Sequence, residues 1–138
     1  MSDPRRCRLS VSQGELQLAG LPTDLRALGR RLRQNAQPVE VPIICGSVAQ
    51  ETTGGPLLVS LRGATTLHVS GGHDYLDLFW DALDGVAEMA ETADDRRVNR
   101  HQHIEYFPGD EYRSADSIPL VIVADWPDEP APQSGERT

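Results

Sequence analysis

A stretch of eighteen residues, flanked by alternating segments, constrains the fold of this chain more than any other feature. From Asp74 to Glu91, apolar residues recur at helical spacing and form one stripe: Leu76, Phe79, Leu83, Val86 and Ala90. A second stripe, the acidic row, also recurs every three or four residues: Asp74, Asp77, Asp81, Asp84, Glu88 and Glu91. A spacing of 3.6 residues places such positions on one face of an α-helix. The stretch therefore predicts a helix of about five turns with a core face and a carboxylate face.

The segments around this helix alternate between apolar and polar residues as strands do. Residues 66–70 precede the helix, residues 101–107 follow it, and residues 118–124 form a more continuously apolar strand. Alternation with a period of two residues is typical of half-buried β-strands. The second part of the chain is therefore predicted as a β-α-β-β unit.

The first part of the chain has a similar order of elements. Residues 15–19 alternate as a strand, and a helix that ends near Gln34 buries leucines at helical spacing. Residues 39–44 and 57–61 are strand-like, and the polar, glycine-containing residues 47–56 between them are predicted as a loop.

These elements predict one α+β domain over residues 1–126, a two-layer sandwich. In it, two β-α-β-β units, 15–61 and 66–124, place two helices on one face of a mostly antiparallel sheet of about six to eight strands. Residues 1–8 are expected to be a frayed end. Residues 127–138 are rich in Pro, Ser and Glu and are predicted to be a disordered tail.

Charge is distributed unevenly along the chain. Residues 1–69 contain eight arginines and five acidic residues, a net charge of +3, whereas residues 70–138 contain five arginines and sixteen acidic residues, a net charge of −11. Nucleic-acid binding needs clustered cations, so the acidic part argues against it. The same charge favours a basic partner.

Composition also bears on the compartment. No apolar run is as long as a membrane span, and the first residues lack the apolar segment of a signal peptide. Only Cys7 and Cys45 are present, which does not suggest a disulfide framework. We expect a cytoplasmic protein in which one cysteine lies at the frayed end and the other is a small buried apolar residue.

The acidic row requires compensation because neighbouring carboxylates on a helix repel one another. Three interpretations stay open: arginines of the first helix neutralise the row, water solvates it, or a basic protein binds it. The arginines in question are Arg26, Arg30 and Arg33. The partner contacts in question are Asp77, Asp81, Asp84 and Glu88.

The segment after the helix places His101, His103 and Glu105 on one face of a strand. Such a face could bind zinc with a fourth ligand from His73 or Asp110, or hold a general base. It is equally typical of a solvent-facing or protein-contacting sheet surface.

No catalytic triad order, Cys-His pair, phosphate-binding loop or dinucleotide fingerprint is present in the sequence. We therefore predict no catalytic residue, no cofactor and no resident metal. A metal-dependent or acid–base enzyme that uses the face of His101, His103 and Glu105 is the alternative, and a structural oligomerisation module is a third.

The second unit resembles the Imm32 family of immunity proteins, small α+β proteins found beside polymorphic toxins in bacteria. The resemblance lies in Val69-Ser-Gly71, a helix with Leu76, Phe79, Leu83 and Ala87, His101-x-His-Ile-Glu105 and Ser117-Ile-Pro-Leu-Val-Ile122. It covers residues 67–124, whereas the connector 92–99 and the preceding unit depart from the single-unit family pattern. The resemblance implies a protein without enzymatic activity that occludes a toxin domain.

Together these observations predict an immunity-like protein that neutralises a basic toxin domain. The predicted contact surfaces are the acidic helix and the strand face of His101, His103 and Glu105.

Overall fold

The computed structural model describes residues 2–34, 38–92 and 101–125, which form two α-helices, one 3-10 turn and eight strands. The helices are α1 (Pro22–Arg33) and α2 (His73–Thr92). The strands are β1 (Arg8–Ser12), β2 (Glu15–Gly20), β3 (Val39–Ile43), β4 (Gly46–Thr52), β5 (Leu58–Arg62), β6 (Thr66–Gly71), β7 (His101–Ile104) and β8 (Leu120–Ala124). Neither helix has the combination of length and apolarity that crossing a bilayer requires, within the part of the chain described.

The eight strands form two four-stranded sheets, which confirms the predicted α+β class. Sheet A has the order β1-β2-β8-β7, and sheet B has the order β3-β4-β6-β5. In each sheet the two outer pairs are antiparallel and the central pair is parallel, β2 with β8 and β4 with β6. The single sheet of six to eight strands that we expected is therefore divided into two.

The division follows from how the hairpins pair. Residues 8–52, the first half, run as hairpin, helix, hairpin, and residues 58–124, the second half, repeat that order. Each sheet contains one hairpin from each half. The predicted repeat over 15–61 and 66–124 stays a prediction. In the structure, the hairpins delimit the two halves at residues 8–52 and 58–124 instead.

One predicted loop is a strand. Residues 47–56 were expected to be irregular, but most of this range belongs to β4, a central strand of sheet B. Val48 is fully buried, and Gln50 is only 2% exposed although it is polar. A polar residue on the inward face hides the alternation that would have identified the strand.

A single hydrophobic core joins the two halves, and the two helices pack directly against each other. The predicted apolar stripe of α2 is buried as expected: Leu76, Phe79, Leu83, Val86 and Ala90. Besides α1, α2 contacts strands of both sheets, β6, β7 and β8. Burial of each large side chain contributes roughly 1.5–3 kcal/mol, so this helix binds the two sheets together.

The N-terminal segment is ordered, contrary to the predicted frayed end. Residues Pro4–Arg6 form a 3-10 turn, and the backbone N–H of Asp3 donates to the buried Asp24 carboxylate at 2.8 Å. Cys7 is fully buried, and burial raises the pKa of its thiol to about 12. Cys45 is the exposed cysteine, in the turn between β3 and β4. Our assignment of the two cysteines was thus reversed.

The last two strands are shorter than predicted. The strand expected over 101–107 ends at Ile104, and the strand expected over 118–124 begins at Leu120. The predicted tail, 127–138, and the connector up to Asn99 lie outside the described residues, apart from Thr92 at the end of α2.

Candidate functional site

Half of the acidic row is engaged by arginines of α1. Arg26 donates to Glu91 at 2.7 Å and lies 3.9 Å from Asp84. Arg33 contacts Asp84 at 2.8 Å and Asp81 at 3.2 Å. The hydrogen bond that Arg26 donates to the Glu91 carboxylate raises the pKa of Arg26. These three carboxylates therefore form ion pairs between the two helices, as predicted by the interpretation in which arginines of the first helix neutralise the row.

Arg30 is different. No ion pair joins Arg30 to the acidic row among the described residues, and its side chain is exposed. The residue before it, Gly29, faces Leu83 and Asp84 of α2 instead. A Cβ added at Gly29 would meet Leu83 and Asp84 at 3.6 and 3.8 Å, ordinary contact distances, so the two helices pack closely at this position.

Several acids of the row, including one that contacts an arginine, keep their contact with solvent. Asp81 is 76% exposed in spite of its contact with Arg33, Asp77 is half-buried, and Glu88 is exposed. Of the four predicted partner contacts on α2, only Asp84 is held by two arginines. The exposed negative charge is thus concentrated on Asp77, Asp81 and Glu88, together with Asp74 at the start of the helix.

Beside the ion pairs lies a buried polar connection that sequence analysis did not identify. The Trp80 indole N–H donates to Gln50 Oε1 at 2.7 Å, and Gln50 Nε2 donates to the Leu32 carbonyl at 3.0 Å. The Arg33 guanidinium lies over the Trp80 ring, 5.9 Å from its centroid. A tryptophan on a buried helix face needs an acceptor for its indole N–H. That requirement was the sequence feature from which a buried polar partner of Trp80 could have been predicted.

The predicted strand face of His101, His103 and Glu105, here called the histidine face, belongs to the edge strand β7 of sheet A and the residue that follows it. Ile104 is buried, and Gln102 Oε1 approaches Gly85 of α2, so these two residues face the helices. Alternation then places His101 and His103 on the opposite face, where their rings are 5.0 Å apart. Glu105 lies beyond the end of β7. The structure therefore separates the histidine face from the acidic row by the thickness of sheet A.

A metal site at the histidine face is not preformed. Among the described residues, the group of three or more potential metal ligands whose atoms all lie within 4.8 Å of one another is His73, Asp74 and Asp77, at the exposed start of α2. This group excludes the three residues of the histidine face.

The other predicted fourth ligand, Asp110, is engaged elsewhere. Its carboxylate accepts from the Tyr112 backbone N–H at 2.8 Å and from Arg113 at 3.1 Å. These contacts, the backbone one first, lower the pKa of Asp110.

Part of the chain is similar to a known protein family. Residues 66–125 match the model of the family described as Imm32, Immunity protein 32, which confirms the predicted resemblance. No curated protein and no solved structure matches the chain.

The matched segment begins with β6 and ends just after β8, and so contains α2 with the whole acidic row and the histidine face. Its strands belong to different sheets, β6 to sheet B and β7 and β8 to sheet A. Residues outside the match complete both sheets. Over residues 66–125, this chain is similar to the Imm32 immunity proteins.

Proposed function

We propose that this protein is a cytoplasmic, non-enzymatic immunity protein that neutralises a bacterial toxin domain by binding it. The observation that carries the proposal is the match of residues 66–125 to Immunity protein 32. The matched segment holds the two surfaces that the sequence singled out, which supports a role in binding.

The first proposed contact surface is the exposed part of the acidic row. Asp77, Asp81 and Glu88 present carboxylates to solvent on α2, while Asp84 holds the arginines of α1 in place. A cluster of one charge sign accelerates the encounter with an oppositely charged partner and supplies specificity more than affinity. A basic toxin domain fits such a surface.

The second proposed contact surface is the histidine face, with His101, His103 and Glu105. Because sheet A separates it from the acidic row, a partner that contacts both surfaces would have to pass around the edge strand β7. A partner of ordinary interface size is therefore expected to use one surface as its centre.

The decisive experiment is a binding measurement with the toxin domain encoded by the neighbouring gene. We expect a stable complex by gel filtration, and an association rate that falls as ionic strength increases because the encounter is electrostatically steered. The double variant Asp81→Asn, Glu88→Gln should slow association several-fold. Asp116→Asn, which removes a charge on the connection between β7 and β8, is the matched control and should change little.

Two outcomes would contradict parts of this proposal. Absence of a complex with the neighbouring toxin would overturn the function itself. If the acidic substitutions leave the affinity for the toxin unchanged but His103→Ala weakens it, the interface lies on the histidine face.

A further inference from the structure

A cleft of about 370 Å³ lies on sheet B. It is lined by Pro38, Val39, Glu40, Ala49, Gln50, Glu51, Arg62 and His68. The buried residues Val48 and Leu67 pair with each other and face the core, so the alternating residues Ala49 and His68 face away from the helices. The cleft therefore opens on the outer face of sheet B.

Four strands build this cleft side by side. Ala49 of β4 pairs with Glu40 of β3 on one side and with His68 of β6 on the other, and His68 pairs with Ser60 of β5. The small Ala49 side chain forms the floor between two larger polar side chains. The cleft exists only because these strands, from both halves, lie in one sheet.

His68 is the buried polar group of the cleft. It is 5% exposed, its Nε2 lies 3.4 Å from Glu51 Oε1, and its Nδ1 has no hydrogen-bond partner. Burial lowers the pKa of His68, and Arg62 lowers it further, so the ring is neutral at pH 7. A neutral imidazole carries one N–H, and the Glu51 carboxylate places it on Nε2. Nδ1 is then an acceptor that lacks a donor.

Two carboxylates accompany this acceptor. Glu40 Oε2 accepts from Ser47 Oγ at 2.6 Å, and that hydroxyl also lies 3.0 Å from Thr66 Oγ1, which holds Glu40 in position. Glu51 supplies the second carboxylate and Arg62 the one cationic group of the lining. With a neutral histidine, the lining has a net charge of −1 and an excess of acceptors.

From this arrangement we propose that the cleft binds a monovalent organic cation with N–H donors, an alkylguanidinium or alkylammonium group. Its N–H groups would donate to Glu40, Glu51 and His68 Nδ1, and its charge would neutralise the lining. The oxygen and nitrogen acceptor atoms of these three residues do not all lie within metal-binding distance of one another, which favours a larger, hydrogen-bonding cation over a metal ion. The group could belong to a free amine or guanidine, or to a lysine or arginine of a protein partner.

The test is an NMR titration of the full-length protein with methylguanidinium and methylammonium. We expect saturable shifts at the Ala49 and His68 amides and at His68 Nδ1. Tetramethylammonium has the charge but no N–H donor, and acetate is an anion, so neither should produce these shifts.

Variants sharpen the test. Glu40→Gln and Glu51→Gln should each weaken binding about tenfold, because each replaces a charged acceptor by a neutral one. Arg62→Gln should strengthen binding, because it removes a repelling cation. Glu15→Gln, on sheet A, is the matched control and should leave the affinity unchanged.

Either of two results would overturn the proposal. Absence of saturable shifts with either cation, or acetate binding that Arg62→Gln abolishes, would rule out a cation site.

This proposal does not depend on toxin binding. If the neighbouring toxin domain displaces methylguanidinium from the cleft, the cation belongs to the partner; if both bind together, it is a free ligand. Failure of the toxin to bind would leave the titration result untouched.

Discussion

The two halves of the molecule share an order of elements but differ in what they carry. Each half is a hairpin, a helix and a second hairpin, and each first hairpin ends in a glycine, Gly20 or Gly71, whose carbonyl accepts a backbone N–H just beyond the parallel neighbour strand. The second hairpin closes with two residues, Ile44 and Cys45, in the first half. In the second half it closes through the long connection 105–119.

The differences assign different tasks to the halves. The longer helix, the exposed acids and the match to Immunity protein 32 belong to the second half. The first half supplies the arginines that neutralise part of the acidic row and the hairpins that complete both sheets. One half thus presents the proposed binding surface, and the other makes that surface compatible with folding.

The strongest test of this comparison is to separate the halves. Because each sheet takes a hairpin from each half, fragments 1–56 and 57–138 should each lack cooperative urea unfolding. Far-UV and near-UV circular dichroism would detect the loss of tertiary structure. A fragment that is monomeric and has a dispersed, native-like amide spectrum would show that the halves are independent domains.

A smaller loss of stability is expected from Gln50→Leu in β4. Gln50 joins the halves, since it accepts from Trp80 of α2 and donates to the Leu32 carbonyl of α1. Leucine leaves the buried Trp80 N–H unpaired and removes one donor from the Leu32 carbonyl. An unsatisfied buried group costs about 1–3 kcal/mol, so we expect a loss of roughly 2 kcal/mol in the free energy of unfolding.

Gln17→Leu on β2 is the matched control, because Gln17 is exposed, and should change stability by less than about 0.5 kcal/mol. A double-mutant cycle of Gln50→Leu with Trp80→Phe would measure the coupling. Additive effects would contradict the proposed connection.

The ion pairs between the helices should contribute less. Arg33→Gln removes contacts with Asp81, Asp84 and the Trp80 ring, and we expect a loss of about 1 kcal/mol that shrinks as salt is added. Arg30→Gln, in the same helix, changes the same charge without removing a pair to the acidic row. Equal effects of the two substitutions in urea titrations would mean that net charge, and not these contacts, matters.

The smallest expected effect concerns pH and compares the outer faces of the two sheets. Burial first, and Arg62 second, lower the pKa of His68 on sheet B, so its neutral form is favoured by folding. The associated stability is fully present above the unfolded value near 6.5 and is lost as the pH falls towards the lower folded value.

His68→Gln should flatten stability over that pH interval, and an NMR titration should place the His68 transition below pH 6.5. Substitution of His103, which is exposed on sheet A, provides the control. A His68 transition above 6.5 would contradict the assignment of a neutral, desolvated ring.

Much of the fold was predictable from periodicity. The apolar stripe of α2, the leucine stripe of α1 and the alternation in β2, β6 and β7 identified five of the elements. These patterns are local, because a helix or strand that buries one face must repeat its apolar residues at that spacing. The contacts of Arg26 and Arg33 with the acidic row were also predictable, because the two helices have matching lengths and opposite charges.

Other features had no local signal. Gln50 is polar but buried through a partner thirty residues away, which concealed β4. Cys7 is buried because Gly20 leaves room for its sulfur, which an added Cβ would meet at 3.0 Å. Neither the Gln50–Trp80 contact nor the Cys7–Gly20 contact can be recognised from the spacing of apolar residues in its own segment.

The sequence by itself determined which residues face a core, where the negative charge accumulates and which segment is similar to the immunity proteins. Only the tertiary structure decided that the hairpins are exchanged between two sheets, that the histidine face and the acidic row lie on opposite sides of sheet A, and that His68 borders a cleft. The physical reason is that periodicity reports burial along one segment, whereas strand partners and clefts depend on which distant segments meet.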